Sequence, residues 1–338
     1  MQKQPFRAGS LPWAALVMLI VSTACWAQPV TSVTNTTRFA FHSDPWINLH
    51  HFLYQWARED LALVRGRPPI PERADVAKLS SPERDIWINA VSFYRESVGA
   101  RWHLDLENLR LNQDLVNLGG NPATQPPDSI KGIAAVLRGA MPIYQKLWWP
   151  RHDEGNRAWI AKLGPLVRGH EERFVQMTIR VYGASWPDSP WRVDVSAYFN
   201  ARAGYTSLEG HIVLYSTDPG SQDLYALEML FHEVQHAEVI SDQAIAPSVL
   251  APAFEEAGVQ QPDNLSHALI FATAGEFAAS VAAAERLPEH TPYWIKQGFE
   301  SQKGWSNLVP AVQKHWLPLV RGETSRPEAI AALAHAFP

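Results

Sequence analysis

The chain has 338 residues, of which 46% are hydrophobic and 19% are charged, and its formal net charge is −5. This is the composition of an ordinary globular protein, with enough apolar side chains for one large domain or two modest ones. The mild acidity and the lack of long Lys/Arg runs exclude the electrostatic pattern of a nucleic-acid-binding protein.

Residues 1–27 have the pattern of a signal peptide. Basic residues precede an apolar run from Leu11 to Ala24, and Cys25 and Ala27 are the small residues that a signal peptidase reads. We therefore expect cleavage after Ala27 and export to the periplasm or out of the cell. The apolar run is short for a bilayer span, so a retained anchor is the weaker interpretation and no stable membrane span is expected after cleavage. Lipidation of Cys25 is disfavoured because Ser22 stands where such sites usually carry Leu.

Cys25 is the only cysteine, so the mature chain would contain none. Export permits disulfides, yet this protein must be held together by its core. A transition-metal site in the mature chain must therefore take its ligands from His, Asp and Glu.

The first half of the mature chain has the spacing of amphipathic helices. Apolar residues recur at three and four positions in segments 44–60, 85–98, 130–149 and 156–183. A Pro-rich joint at 65–75 and a Gly/Pro-rich loop at 119–129 separate the first three of these segments. This pattern predicts a helical N-terminal region over residues 28–185.

The pattern changes after residue 185. Segments 191–199 and 210–216 alternate β-branched and aromatic residues with others, which predicts two strands. A turn then leads into a helix that begins near Leu224 and continues through the sequence FHEVQH, and the next long helix is predicted at 265–287. We therefore predict an α+β, predominantly helical protein whose residues 186–338 form a metal-binding catalytic region.

His232, Glu233 and His236 have the spacing H-E-x-x-H. On a helix His232 and His236 lie on one face, where both imidazoles can reach one ion, and Glu233 on the adjacent flank can act as a base without being a ligand. Chance would produce about 0.03 such motifs in a chain of this length. Two histidines inside an apolar helix cost free energy unless they are paired. The motif therefore predicts a metal site.

At these residues the chain resembles the zincin metallopeptidases, whose active-site helix carries H-E-x-x-H. The resemblance covers the motif, the strand before it and the helix after it, roughly a quarter of the chain. It implies a zincin-like core with a small sheet before the motif helix, a catalytic Zn²⁺ and Glu233 as the general base. The resemblance also implies that segment 210–216 is an edge strand that pairs with an extended peptide substrate, and an ordinary core strand is the alternative that the sequence leaves open.

Three residues compete to supply the third protein ligand. The gluzincin branch of the superfamily takes it from a Glu on the following helix, and Glu276 stands there on a face of small residues, so we expect Glu276 to bind the metal. Asp242 has the spacing of another branch, but Val239 replaces the Gly that turns the chain there. His267 lies nine residues before Glu276, about 900° around a helix, so both cannot face one ion. We assign His267 to the core or to a supporting role.

The sequence therefore predicts an exported zinc metallopeptidase that cleaves peptide or amide bonds in a peptide or protein substrate, with peptidoglycan peptides as a variant. Zn²⁺ is expected on His232, His236 and Glu276, and Tyr293 and His267 are candidate donors to the oxyanion. The alternative is a non-enzymatic exported domain that keeps the motif for a structural metal site and binds a partner through its helical first half.

Overall fold

A computed structural model describes residues 32–64, 69–121, 123–183, 185–198, 204–237 and 249–337. The predicted signal peptide and Asp242 lie outside these residues. Within them the protein is predominantly helical with one small mixed sheet, which confirms the α+β composition.

Five strands in the described residues form one sheet in the order β1-β2-β3-β5-β4. They are β1 (Thr34–Asn35), β2 (Phe39–His42), β3 (Trp191–Ser196), β4 (Gly204–Thr206) and β5 (Ile212–Tyr215). The central strands β2, β3 and β5 are parallel, whereas β1 and β4 pair antiparallel at the two edges. The strands predicted at 191–199 and 210–216 are confirmed as β3 and β5. The predicted boundary near residue 185 stays a prediction, although β2 pairs with β3 across it.

Of the two interpretations of segment 210–216, the structure agrees with the ordinary core strand and not with the edge strand. β5 lies between β3 and β4, and its backbone pairs on both sides. The edge next to it is β4, three residues long, in which Tyr205 is opposite Val213. So short a strand has no recognisable periodicity in the sequence, which is why β4 was not predicted.

The helices of the first half are α1 (Pro45–Asp60), α2 (Ser81–Ser97), α3 (Leu106–Leu118), α4 (Lys131–Leu147) and α5 (Trp149–Tyr182), with a 3₁₀ turn at Pro71–Lys78 and another at Asp128–Ile130. Local signals set their ends: the Asp44 side chain accepts from Trp46 N at 2.8 Å at the start of α1, and Gly183 with φ 72° ends α5. The four helices predicted from apolar spacing are confirmed as α1, α2, α4 and α5.

The helices of the second half are α6 (Asp223–Val234), α7 (Ala251–Ala257), α8 (Leu265–Ala284), α9 (Tyr293–Lys296), α10 (Phe299–Gln302), α11 (Leu308–Ala311), α12 (Leu317–Arg321) and α13 (Arg326–Ala334), with a π turn at Val312–Trp316. The motif helix α6 ends two residues before His236, not after it as predicted. His236 lies in the following turn, where its N–H donates to Glu233 O at 3.0 Å.

Two clusters of buried side chains lie on the two faces of the sheet. One contains Phe41, Val193 and Leu214 with residues of α5, α6 and α8. The other contains Val213 and Tyr215 with residues of α1, α2 and α4. Because strand side chains alternate between faces, adjacent residues of β5 contribute to both clusters. The sheet thus separates an N-terminal helical layer from the layer that carries the motif helix.

The helix α8 is apolar on every side. In the part of the chain that the structure describes, it is the one helix long and apolar enough to cross a membrane, and 67% of its apolar window is buried inside the protein. A helix that is hydrophobic all round is expected at the centre of a core, and α8 packs there against α6.

Candidate metal centre

The helix α6 is buried along its last nine residues, Ala226 to Val234. Leu227, Leu230 and Val234 have no exposed surface, and the Phe231 ring stacks on Phe174 with 4.0 Å between centroids. These apolar contacts fix the rotation of α6 about its axis. They leave His232, which is 3% exposed, and Glu233, which is 5% exposed, as polar groups inside an apolar layer.

The C-terminal end of α6 is tied to α8 by Gln235, a residue between the two motif histidines. Its amide nitrogen donates to Phe231 O at 2.7 Å and to Ile270 O at 3.2 Å, and its oxygen accepts from the Tyr182 hydroxyl at 2.8 Å. The first bond satisfies a carbonyl that the helix end leaves without an intrahelical partner. The second brings the turn that carries His236 against α8 close to His267.

Three histidines converge at this junction. The ring centroids of His232 and His236 are 4.8 Å apart. The centroid of the His267 ring lies 5.4 Å from that of His232 and 5.1 Å from that of His236. One ring nitrogen of each lies within 4.8 Å of the other two. Across the described ranges no other group of three His, Cys, Asp or Glu side chains meets this arrangement. His232 is buried, and the other two are half-buried.

The separation of the two motif imidazoles suits a tetrahedral metal. His232 Nε2 and His236 Nε2 are 3.1 Å apart. Two Zn–N bonds of about 2.0–2.1 Å at a tetrahedral angle place their nitrogens roughly 3.3 Å apart. The imidazoles are therefore close to the separation that a shared zinc ion requires.

His232 is held neutral and in a fixed orientation. Burial, followed by the charges of His236, His267 and Lys303, lowers the pKa of His232 well below its usual value. The Phe271 ring stacks on the His232 ring with centroids 3.7 Å apart. A neutral imidazole keeps the lone pair that a metal needs. Its buried Nδ1 has no hydrogen-bond partner among the described residues, whereas metal-binding histidines usually donate from their second nitrogen.

The expected third ligand, Glu276, is not at this junction. Its carboxylate accepts two hydrogen bonds from Arg321, from Nε at 2.7 Å and from a terminal nitrogen at 3.1 Å. Glu276 and His267 are nine residues apart on α8, so they lie on opposite faces of the helix, as the helical period requires. The structure brings His267, and not Glu276, to the motif histidines.

Gly275 lies on α8 eight residues after His267, about 80° around the helix from it, at a point of close packing. A Cβ atom at Gly275 would lie 2.6 Å from Pro292 Cβ and 2.9 Å from Glu228 Oε1. At Gly275 the backbone of α8 therefore has no room for a side chain between itself and Pro292 and Glu228. The small residues that pointed to Glu276 line the other side of α8, where they do not serve this contact.

Glu228, one turn before His232 on α6, contacts His290 and Tyr293 and not His232. Its Oε2 lies 2.7 Å from His290 Nε2, and its Oε1 accepts from Tyr293 N at 2.8 Å. The carboxylate is fully buried, and burial raises its pKa although both contacts oppose the shift. Glu228 thus anchors the start of α9 to the motif helix and does not orient His232.

Glu233 points toward the sheet edge. The Thr206 hydroxyl of β4 lies 3.0 Å from Glu233 Oε2 and 2.6 Å from Glu233 O. The motif therefore presents its histidines to α8 and its carboxylate to β4.

Aromatic rings enclose the side of the centre next to α8. Trp305 lies 6.0 Å from His267 between centroids, and Phe299 packs edge-on to both Trp305 and Phe271. The ammonium of Lys303 is exposed and lies 4.6 Å from the Phe299 centroid. The wall is apolar, with one cation at its rim.

Among the residues that the structure describes, three imidazoles and one adjacent carboxylate can act chemically at this centre. Tyr293, a candidate oxyanion donor, has its ring centroid 6.3 Å from Phe271, and that role stays a prediction. Comparison of the chain with protein-family models, with curated proteins and with solved structures found no match.

Proposed function

We propose that the protein is an exported zinc-dependent hydrolase of peptide or amide bonds, in which His232, His236 and His267 hold the metal and Glu233 is the general base. The convergence of a third imidazole on the H-E-x-x-H pair is the observation that carries this proposal. Export, to the periplasm or out of the cell, follows from the N-terminal sequence pattern alone.

The donor set supports zinc in a catalytic site. Imidazole is a preferred zinc ligand, and no cysteine is available in the chain beyond residue 25. Three nitrogen ligands leave one position of a tetrahedral ion for water or substrate, which distinguishes catalytic from structural zinc sites. A zinc ion held this way supplies Lewis-acid chemistry, which activates water and polarises the carbonyl of the bond to be cleaved.

Proton transfer, exclusion of bulk water and substrate binding would be carried out by the protein's own residues. Glu233 would accept a proton from the attacking water and return it to the leaving amine, which a carboxylate next to a ligand on the same helix is placed to do. The apolar wall of Phe271, Phe299 and Trp305 would limit access of bulk water. Among the described strands β4 is at the edge of the sheet, where its main-chain groups would pair with an extended peptide and give affinity with little sequence preference.

The test is hydrolysis by the purified chain that begins at Gln28, with peptide as the probe. A mixture of internally quenched peptides, and separately purified peptidoglycan, would be incubated with protein that has been stripped of metal and reloaded with Zn²⁺. We expect cleavage that requires zinc and is lost in Glu233→Gln. Stoichiometric zinc without cleavage of either substrate would favour the alternative, a non-enzymatic exported domain with a structural metal site.

A further inference from the structure

We propose that the edge strand β4 positions the general base, with Thr206 holding the carboxylate of Glu233 and Gly204 confining its side-chain stem. The proposal rests on the proposed function and makes Thr206 a positioning residue, because it acts through Glu233.

The first observation is the double contact of one hydroxyl with one residue. Thr206 Oγ1 lies 2.6 Å from the backbone oxygen of Glu233 and 3.0 Å from its Oε2. A hydroxyl has one hydrogen to donate, and here the two acceptors that share it belong to the same residue. The carboxylate is therefore folded back toward its own backbone, on the side of β4.

The second observation is the close passage of the β4 backbone. A Cβ atom at Gly204 would lie 3.2 Å from Glu233 Cγ, 2.9 Å from Leu214 Cδ2 and 2.8 Å from Val213 O. These distances leave no room for a side chain at position 204 unless the surrounding atoms move. The backbone of β4 thus forms a wall against the stem of Glu233, independently of the hydroxyl contact.

Both contacts come from residues distant in sequence from the motif. A general base must lie within hydrogen-bond reach of the proton it takes, and a displacement of about 1 Å can cost roughly 100-fold in rate. Glu233 is 5% exposed, so bulk water provides little alternative support for its carboxylate. The arrangement assigns to β4 the task of holding the base in place before substrate arrives.

The test compares Thr206→Val, which removes the hydroxyl but keeps a β-branched strand residue, with Thr206→Ser, which keeps the hydroxyl. The probe is the internally quenched peptide that the parent cleaves fastest. We expect Thr206→Val to lower kcat by about 10- to 100-fold with KM and zinc content unchanged, and Thr206→Ser to retain most of the parent's kcat. Thr206→Ala is the second variant should Thr206→Val fail to fold.

A double-mutant cycle separates positioning from general stability. In a Glu233→Gln background, Thr206→Val should have little further effect on kcat, because the group through which Thr206 acts is already altered. Crystal structures provide a readout besides activity: we expect one Glu233 rotamer in the parent and in Thr206→Ser, and displacement of the carboxylate in Thr206→Val.

The outcomes are distinguishable from failure of the proposed function. An unchanged kcat in Thr206→Val, together with an unmoved Glu233 carboxylate, would overturn the positioning role while leaving hydrolysis by Glu233 intact. Equal losses from Thr206→Val in the parent and in Glu233→Gln would also overturn it. A parent that cleaves no peptide, or a Glu233→Gln variant that cleaves as well as the parent, would overturn the proposed function and this inference with it.

Discussion

The imidazoles of His236 and His267 meet edge to face across the junction of a turn and the helix α8, with ring centroids 5.1 Å apart. The two residues come from different elements and are joined through Gln235, whose amide donates to Ile270 O at 3.2 Å. The third position of the candidate metal centre thus depends on how α8 is rotated about its axis against the end of α6.

The ligand assignment is tested by replacing each of the two candidate ligands on α8, His267 and Glu276, with Ala in separate variants. We expect His267→Ala to weaken zinc binding by more than about 100-fold, the upper end of what loss of a supporting hydrogen bond costs. We expect Glu276→Ala to keep zinc and to lose at most about 1 kcal/mol of stability, because its pair with Arg321 is partly exposed. Competition with a chelating dye measures both affinities.

The ligand assignment also predicts how zinc changes the melting temperature of these two variants. Zinc should raise the melting temperature of the parent and of Glu276→Ala, and should raise that of His267→Ala far less, because ligand binding stabilises only a folded state that holds the ligand. Retained zinc in His267→Ala with lost zinc in Glu276→Ala would reverse the assignment.

The role of Glu233 predicts a separation of binding from chemistry. Glu233→Gln should bind about one zinc ion per chain yet lose at least roughly 100-fold in kcat, the usual contribution of a positioned general base. Metal analysis and initial rates on the same preparation give both quantities. Loss of zinc in this variant would instead make Glu233 a ligand.

The close contact at Gly275 predicts that a change in packing weakens zinc binding even when all the ligands are kept. Gly275→Ala places a methyl group 2.6 Å from Pro292 Cβ and 2.9 Å from Glu228 Oε1. We expect a loss of about 1–3 kcal/mol in the free energy of unfolding and weaker zinc binding, although no ligand has changed. Urea unfolding and dye competition measure the two effects.

The matched control is Gly169→Ala in α5, where an added Cβ meets no atom within 4 Å. That substitution should be neutral or stabilising by up to about 1 kcal/mol, because Ala has the higher helix propensity. Equal effects of the two substitutions would show that the close contact at Gly275 does not control stability or zinc binding.

A buried histidine in the N-terminal helical layer predicts acid sensitivity. His50 Nδ1 lies 2.9 Å from the Tyr94 hydroxyl, and burial lowers the pKa of His50 to about 4. The unfolded chain titrates near 6.5, so it binds the proton first as the pH falls, and the stability present above pH 6.5 is lost progressively between pH 6.5 and about 4. Between pH 7 and pH 5 this residue should account for a loss of about 2 kcal/mol.

Urea unfolding of metal-free protein at the two pH values measures this dependence. In His50→Gln the fall in stability from pH 7 to pH 5 should be smaller than in the parent by about that amount, whatever the variant's stability at pH 7. Parallel pH profiles of parent and variant would show that His50 does not carry the effect.

Local periodicity was sufficient for six of the thirteen α-helices in the described residues and for two of the three imidazoles of the candidate centre. The spacing of His232 and His236 puts both on one side of any helical turn, so their meeting follows from 3.6 residues per turn. The two histidines still meet although α6 ends at Val234, because the turn that follows keeps His236 close to Glu233. In the same way, apolar residues at three and four positions predicted α1, α2, α4 and α5.

Tertiary structure determined which segment forms the edge strand and which residue of α8 supplies the third imidazole. β4 has three residues and exists because it pairs with β5, so no pattern within it marks it as a strand. The rule that His267 and Glu276 cannot face one ion was correct, but periodicity does not say which face of an apolar helix turns inward. In the structure, the orientation that brings His267 to the motif is accompanied by the fit of Gly275 against Glu228 and by the bond from Gln235 to α8. Both contacts join residues far apart in the chain, and only packing brings them together.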